Sequence, residues 1–217
     1  MAPSELIPIV GLGAGTHAKS LLDAIRSANV YDPKAIVDDD PERAGDEILG
    51  VQVVSAADGL EGFLNDGVRH AFTGVGGTTD SGPRRRVFER LRDAGFELPP
   101  IAHATASISP NAQVGPGAQI FAYAVVNAGA AIGAGVIVNT AAVVEHDCRI
   151  GAHAHVAPGA LLAGLVTVGE GAHVGIGAAV IEGIHIGDGA LVGAGAVVIR
   201  DVEDGARVVG VPAKPLA

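Results

Sequence analysis

Residues 143–156 read VVEHDCRIGAHAHV, bringing His146, His153 and His155 together with Glu145, Asp147 and Cys148. The surrounding segments are mostly Ala, Gly and Val. An imidazole titrates near neutral pH, so a histidine beside carboxylates is suited to taking a proton from a reacting group. His146 lies between Glu145 and Asp147, and either carboxylate could hold the ring and raise its basicity. Cys148 occupies a slot that small residues fill elsewhere, so it reads as core filler. A second concentration of candidates lies in the first hundred residues. Gly11, Gly13 and Gly15 form a glycine turn, Asp38, Asp39 and Asp40 an acidic triplet, and Gly76 and Gly77 a further small-residue turn. A glycine turn can present backbone N–H groups to phosphate, and an acidic residue after a strand can accept from a ribose or base.

The elements that must position the histidines follow a period of six. From Ile108, every sixth residue through Val198 is aliphatic, and the phase never slips. Two residues before most of these stands a small side chain, such as Ala112, Ala124, Ala142, Cys148 or Ala160. Six matches neither a helix nor a simple strand. It fits a chain that turns a corner every six residues and points one apolar group inward per side. Val114, Ile132, Ile150, Val168 and Ile186 are each followed by Gly, which adds a period of 18 and predicts three sides per coil. Stacked coils would lie roughly 4.8 Å apart, the spacing of paired strands. Glycine would support the corners by accepting positive φ. His146 falls at an exposed turn between inward Val144 and Ile150, and His153 reads as surface.

The N-terminal candidates sit on a different pattern. IPIVGLGAGTHAKSLLDAI predicts a strand, a glycine turn and a helix with Leu21, Leu22 and Ile25 inward. KAIVDDD predicts a second strand and HAFTGVGG a third. SGPRRRVFERLRDAGF predicts a helix with Pro83 in its first turn and a stop at Gly95, its Arg84, Arg85 and Arg86 forming a solvated face. This order predicts a small parallel sheet of Rossmann type, whose ligands bind at the carboxyl ends of the strands. The glycine spacing is an imperfect dinucleotide fingerprint, because Thr16 stands where the final Gly of G-x-G-x-x-G would be.

Composition limits the partners. The 217 residues are 48% hydrophobic but 3% aromatic, with 32 glycines, so the core is built from small and branched aliphatics. A formal charge of −10 argues against nucleic acid as the main partner. No run is long and apolar enough to span a bilayer, and no signal peptide is visible. The single Cys148 excludes an internal disulfide and fits a reducing compartment. A cytoplasmic protein is expected.

The hexads over residues 103–217 resemble the left-handed parallel β-helix of hexapeptide-repeat acyltransferases, which implies a homotrimer with active sites between subunits. With the N-terminal half, the chain resembles the nucleotide-sugar acetyltransferases: enzymes of UDP-4-amino-sugars, GDP-perosamine N-acetyltransferases and sialic acid O-acetyltransferases. The resemblance runs through GAGTHA, IVDDD, HATASISPNA, VNTAAVVEHDC, HVAPGA and GVPAK. It implies an α/β Rossmann-like domain over 1–100 for the nucleotide-linked amino sugar and an all-β left-handed β-helix over 101–217 for acetyl-CoA and catalysis. It implies His146 as general base, supported by Asp147, with Glu145 the competing support. It places His155 by the acetyl thioester and the backbones of Ile176 and Ala194 along the pantetheine arm. Lys214 would reach a CoA phosphate. Gly15, Thr16, His17, Asp38, Asp39 and Gly76 would contact the nucleotide sugar. His173, one coil after His155, is an equal candidate for lining the cleft. No metal is implied. The expected reaction is N-acetylation of a nucleotide-linked 4-amino-4,6-dideoxy sugar for surface glycan synthesis, with sugar or sialic acid O-acetylation as the alternative.

Two other classes fit the residues less well. The carbonic anhydrases of the same coil bind zinc through three histidines, but the position five before His146 is Ala141. A non-catalytic nucleotide-binding trimeric scaffold would leave EHD and GVPAK without a purpose.

Overall fold

The computed structural model describes residues 5–56, 59–77 and 79–216. The chain divides into two compact units, one of residues up to Gly76 with Gly82–Ala104, the other of Thr105–Ala217 with Gly77–Ser81.

The first unit is an α/β sheet. Strands β1 (Ile7–Leu12), β2 (Tyr31–Asp38), β3 (Glu47–Ile48), β4 (Val51–Ser55) and β5 (His70–Thr73) lie in the order β3-β4-β2-β1-β5. Four of them run parallel, while β3 and β4 form an antiparallel hairpin. The three expected strands are present as β1, β2 and β5. The hairpin is an addition, and Leu49 and Gly50 between its strands have φ of +49° and +75°. Helices α1 (Thr16–Ala28), α2 (Leu60–Asn65) and α3 (Gly82–Asp93) follow β1, β4 and β5. Leu21, Leu22 and Ile25 of α1 are fully buried, as their spacing predicts. On α3 the expectation of a wholly solvated arginine run is corrected. Arg84 is 1% exposed, because Arg84, Phe88 and Leu91 share the inward face of the helix. Burial lowers the pKa of its guanidinium to about 10.

The second unit is a left-handed parallel β-helix of two-residue strands. Up to Val197–Val198 each strand pairs in parallel with the one 18 residues away, as in Val125 with Val143 and Ile137 with His155, while Arg207–Val209 pairs with Leu191–Val192 at an offset of 16 and Lys214–Pro215 adds an antiparallel edge. The coils therefore present three faces, each a parallel sheet. The inward aliphatics are buried at every sixth position from Ile120 to Val198, and Cys148 is buried among the small residues that precede them. Its thiol donates to the Ala163 carbonyl at 3.1 Å, and burial raises its pKa.

Two glycine columns have different causes. After the strand Arg149–Ile150, a Cβ on Gly151 would sit 2.6 Å from the amide nitrogen of Glu170 in the next coil. Gly133, Gly169 and Gly187 meet the same obstacle, so this column exists because backbone passes close over backbone. At the corners the requirement is positive φ, met by Gly117, Gly129, Gly135 and onward at steps of six. Tyr123, Ala141, Asp147, His153 and Leu165 fill corner positions with φ between +55° and +62° although none is glycine. The coil spanning residues 141–158 alone has all three corners so occupied. His153 is one of them, and at 7% exposure it is buried rather than on the surface as expected.

Candidate active site

In the first unit the candidates gather at the carboxyl ends of β1, β2 and β5. Gly15 caps α1, and a Cβ there would meet nothing within 4 Å. Gly15 and Thr16 are exposed and His17 is half-buried. A Cβ on Gly76 would lie 3.0 Å from the Cβ and Cγ of His17, so the β5 turn and the start of α1 are in contact. The two acids are engaged within the protein. Asp38 accepts from the amides of Ala14 at 2.5 Å and Asp40 at 2.9 Å, which fixes the glycine turn against β2. Asp39 holds Arg90 of α3 through both carboxylate oxygens, at 2.6 and 2.9 Å.

In the second unit His146 stands on the corner after the strand Val143–Val144, with half its side chain exposed. Its Nδ1 lies 3.0 Å from Oδ2 of Asp147. With Nδ1–H donating to that carboxylate, Nε2 carries the lone pair and is the acceptor. Glu145 accepts instead from the backbone amide of His146 at 3.2 Å, so Asp147 is the ring's partner. The hydrogen bond to Asp147 raises the imidazole pKa above its ordinary 6.5, and the charges of Asp147, Glu145 and Glu182 add to this against some desolvation. The dyad is bracketed by glycines of adjacent coils. A Cβ on Gly164 would lie 2.5 Å from the imidazole Cε1 and Nε2, and one on Gly129 would lie 2.3 Å from Oδ1 of Asp147.

His155 lies on the outer side of the strand His155–Val156, in the face opposite the corner that carries His146. Its Nε2 is 3.1 Å from Nδ2 of Asn139, and its ring meets that of His173 edge to face at 4.9 Å. Ile176 and Ala194 are exposed and stack one coil apart at another corner. The Ile176 carbonyl accepts from Gly195 at 2.8 Å, and among the described residues the amides of Ile176 and Ala194 make no hydrogen bond. Lys214 is exposed on the terminal strand Lys214–Pro215. Among the described residues no group of three His, Cys, Asp or Glu could hold a metal ion.

Residues 8–91 match the PglD N-terminal domain family. Over the whole chain, GDP-perosamine N-acetyltransferase (PerB) from Caulobacter crescentus, solved with CoA and GDP-perosamine, is 39% identical. The match covers 98% of this chain and 99% of that one, with a TM-score of 0.90. The chain belongs to the nucleotide-sugar acetyltransferases. The acetyltransferase domain of PglB from Neisseria gonorrhoeae is 37% identical over 96% of this chain and 99% of that one, with a TM-score of 0.87, and its acetyl coenzyme A complex is also solved. WeeI from Acinetobacter baumannii is 26% identical over 98% of this chain and 100% of that one, with a TM-score of 0.83. No curated protein sequence matches.

In this acetyltransferase, three residues near the site escaped the sequence reading. Asn139 reaches His155 only because 139 follows the strand one coil below it. Gly129 and Gly164 lie 18 residues from Asp147 and His146, a spacing that could have flagged them. Gly164 has no positive φ, so alanine is acceptable to its backbone. Gly164→Ala is expected to fold and to displace the imidazole, lowering kcat by roughly 100-fold, as a misplacement of about 1 Å can. Wild-type kcat in that variant would show that the ring does not need this space.

Proposed function

We propose that the chain transfers the acetyl group of acetyl-CoA to the amine of a nucleotide-linked 4-amino-4,6-dideoxy sugar, with His146 as general base. The exposed His146–Asp147 dyad carries this reading, since a carboxylate holds Nδ1 of a half-exposed, raised-pKa imidazole and leaves Nε2 as the acceptor. The amine nitrogen attacks the thioester carbonyl, a C–N bond forms and the C–S bond breaks. Nε2 takes the proton lost by nitrogen and the imidazolium returns it to the departing sulfur, so coenzyme A leaves as the thiol. Asp147 fixes the ring and stabilises the imidazolium. His155 donates toward the developing oxyanion. The unbonded amides of Ile176 and Ala194 receive the pantetheine arm, and Lys214 meets a CoA phosphate. Gly15, Thr16, His17 and Gly76 line the nucleotide-sugar site, with Asp38 and Asp39 shaping it through their contacts to the glycine turn and Arg90.

His146 and His155 lie on opposite sides of one coil, so a complete site takes His155 from a neighbouring copy. The apolar outer face of the sheet containing Val143–Val144 supports a homotrimer. Leu161, Ile181 and Ile199 on it are 49%, 46% and 43% exposed, while the face carrying Gln113, Arg149, Thr167 and His185 is polar. No helix of the described residues is long and apolar enough to cross a membrane, and a reaction between a nucleotide sugar and acetyl-CoA is consistent with the cytoplasm.

The deciding experiment incubates the protein with acetyl-CoA and a panel of nucleotide-linked amino sugars. Thiol release with one acetyl added to the amine is expected. Absence of thiol release with every amino sugar would overturn the assignment, and an acetyl ester would reassign the acceptor to oxygen.

The pH profile is a further test. The neutral imidazole is the base, and its pKa is raised, so kcat/KM climbs with pH through a limb above 6.5. Asp147→Asn removes the largest cause of that shift. It should move the limb to lower pH and reduce the plateau. A limb unmoved by this substitution would separate Asp147 from the ionisation.

A further inference from the structure

Four carboxylates stand near the carboxyl ends of β1 and β2 as candidates for reading a nucleoside, and three are engaged. Asp38 accepts from two backbone amides, Asp39 is held by Arg90, and Asp40 accepts from the Glu42 amide. The fourth, Glu47 on β3, lines a cavity of about 280 Å³. Among the described residues its one side-chain hydrogen-bond partner is the neutral Gln52 amide at 3.3 Å, which leaves its charge without an ion pair. Lys19 and Arg43 line the same cavity. Arg43 is committed to the Ala14 carbonyl and to Asp46, whereas Lys19 has no ion-pair partner among the described residues. Leu49 also faces this cavity from a backbone with φ of +49°, and Arg26 holds its carbonyl. A bulky residue kept in the left-handed region is strain that its surroundings maintain, a pattern concentrated at ligand sites. The cavity thus combines a free cation, a carboxylate without an ion pair and an apolar wall.

We infer that this cavity takes the nucleoside diphosphate half of the substrate, with Lys19 meeting phosphate and Glu47 reading a guanine base beside Leu49. The inference rests on the reading above that the first unit binds the nucleotide sugar. Guanine presents N1–H and N2–H side by side, a match to the two oxygens of one carboxylate. Uracil and thymine present one N–H between two carbonyls whose lone pairs a carboxylate repels. Glu47 therefore both attracts guanine and rejects the pyrimidine diones, the two components of specificity.

Calorimetry on the intact protein with GDP, UDP and dTDP tests this without any variant. GDP should bind tighter than UDP and dTDP by roughly tenfold or more, the scale of hydrogen bonds to a charged group. Glu47→Gln should bring that ratio toward one. Lys19→Ala should weaken GDP and UDP by a similar factor and leave their ratio standing. UDP or dTDP binding as tightly as GDP, or a ratio that survives Glu47→Gln, would overturn the role of Glu47. Unchanged affinities in Lys19→Ala would overturn that of Lys19. If none of the three diphosphates binds, the nucleotide reading of the unit fails instead.

Discussion

Replacing His146 by alanine lowers turnover by about 10²–10⁴-fold, the range spanned by a positioned general base, while circular dichroism and sedimentation stay those of the wild type. The fold is spared because the imidazole is 54% exposed and contributes nothing to the coil's interior. The corner's ladder is made by backbone, with Leu165 donating to the His146 carbonyl at 3.0 Å and Asp147 to that of Ala128 at 3.0 Å. Alanine leaves these bonds intact. The KM for acetyl-CoA should barely move, since the base acts on the amine and not on the thioester. Steady-state kinetics with both substrates varied separates the two. Turnover within about threefold of wild type would remove His146 from the chemistry.

A large loss of stability is expected for Gly151→Ala. The added Cβ would approach the Glu170 amide nitrogen to 2.6 Å and the Gly169 carbonyl carbon to 2.7 Å. Both are backbone of the next coil and are tied into the ladder, since Gly169 donates to Ile186 at 2.7 Å. The coils cannot part at one corner without losing parallel pairing along that face. Overpacking of this kind costs about 1–3 kcal/mol, and more where backbone must move. The thermal transition should fall by roughly 5 °C or more for a chain of this size. Gly62→Ala is the contrasting control. It lies within α2 with nothing within 4 Å of a new Cβ, and should leave stability unchanged or slightly raised. Equal midpoints for Gly151→Ala and wild type would mean that the coils do not stack this closely.

The β-helix was legible because a six-residue corner repeats without interruption, so Ile120 through Val198 announce their burial by phase alone. The 18-residue period likewise gave the strand register. Other features were hidden for physical reasons. The β3–β4 hairpin is made of a two-residue strand and a Leu-Gly turn, which lacks the Asn-Gly signature of such turns. Arg84 reads as solvated if the run of arginines is taken together, and as buried if the helical spacing to Phe88 and Leu91 is followed. Glu145 and Asp147 are equivalent neighbours of His146 on paper, and the corner separates them. The acidic triplet was read as ligand-facing, whereas Asp38 and Asp39 are bound to the protein's own donors. Glu47 carried no signal, because its place beside the glycine turn depends on the unseen hairpin.

The rung that carries His146 has unrelaxed joints. Ala141, Asp147 and His153 occupy all three of its left-handed corners, each at a cost of roughly 1–2 kcal/mol that glycine would not incur. In a stack where every rung leans only on its neighbours, such a defect stays local. The storey of His146 is therefore the weakest link in the column, kept closed by neighbouring storeys that have glycine at two of their three corners.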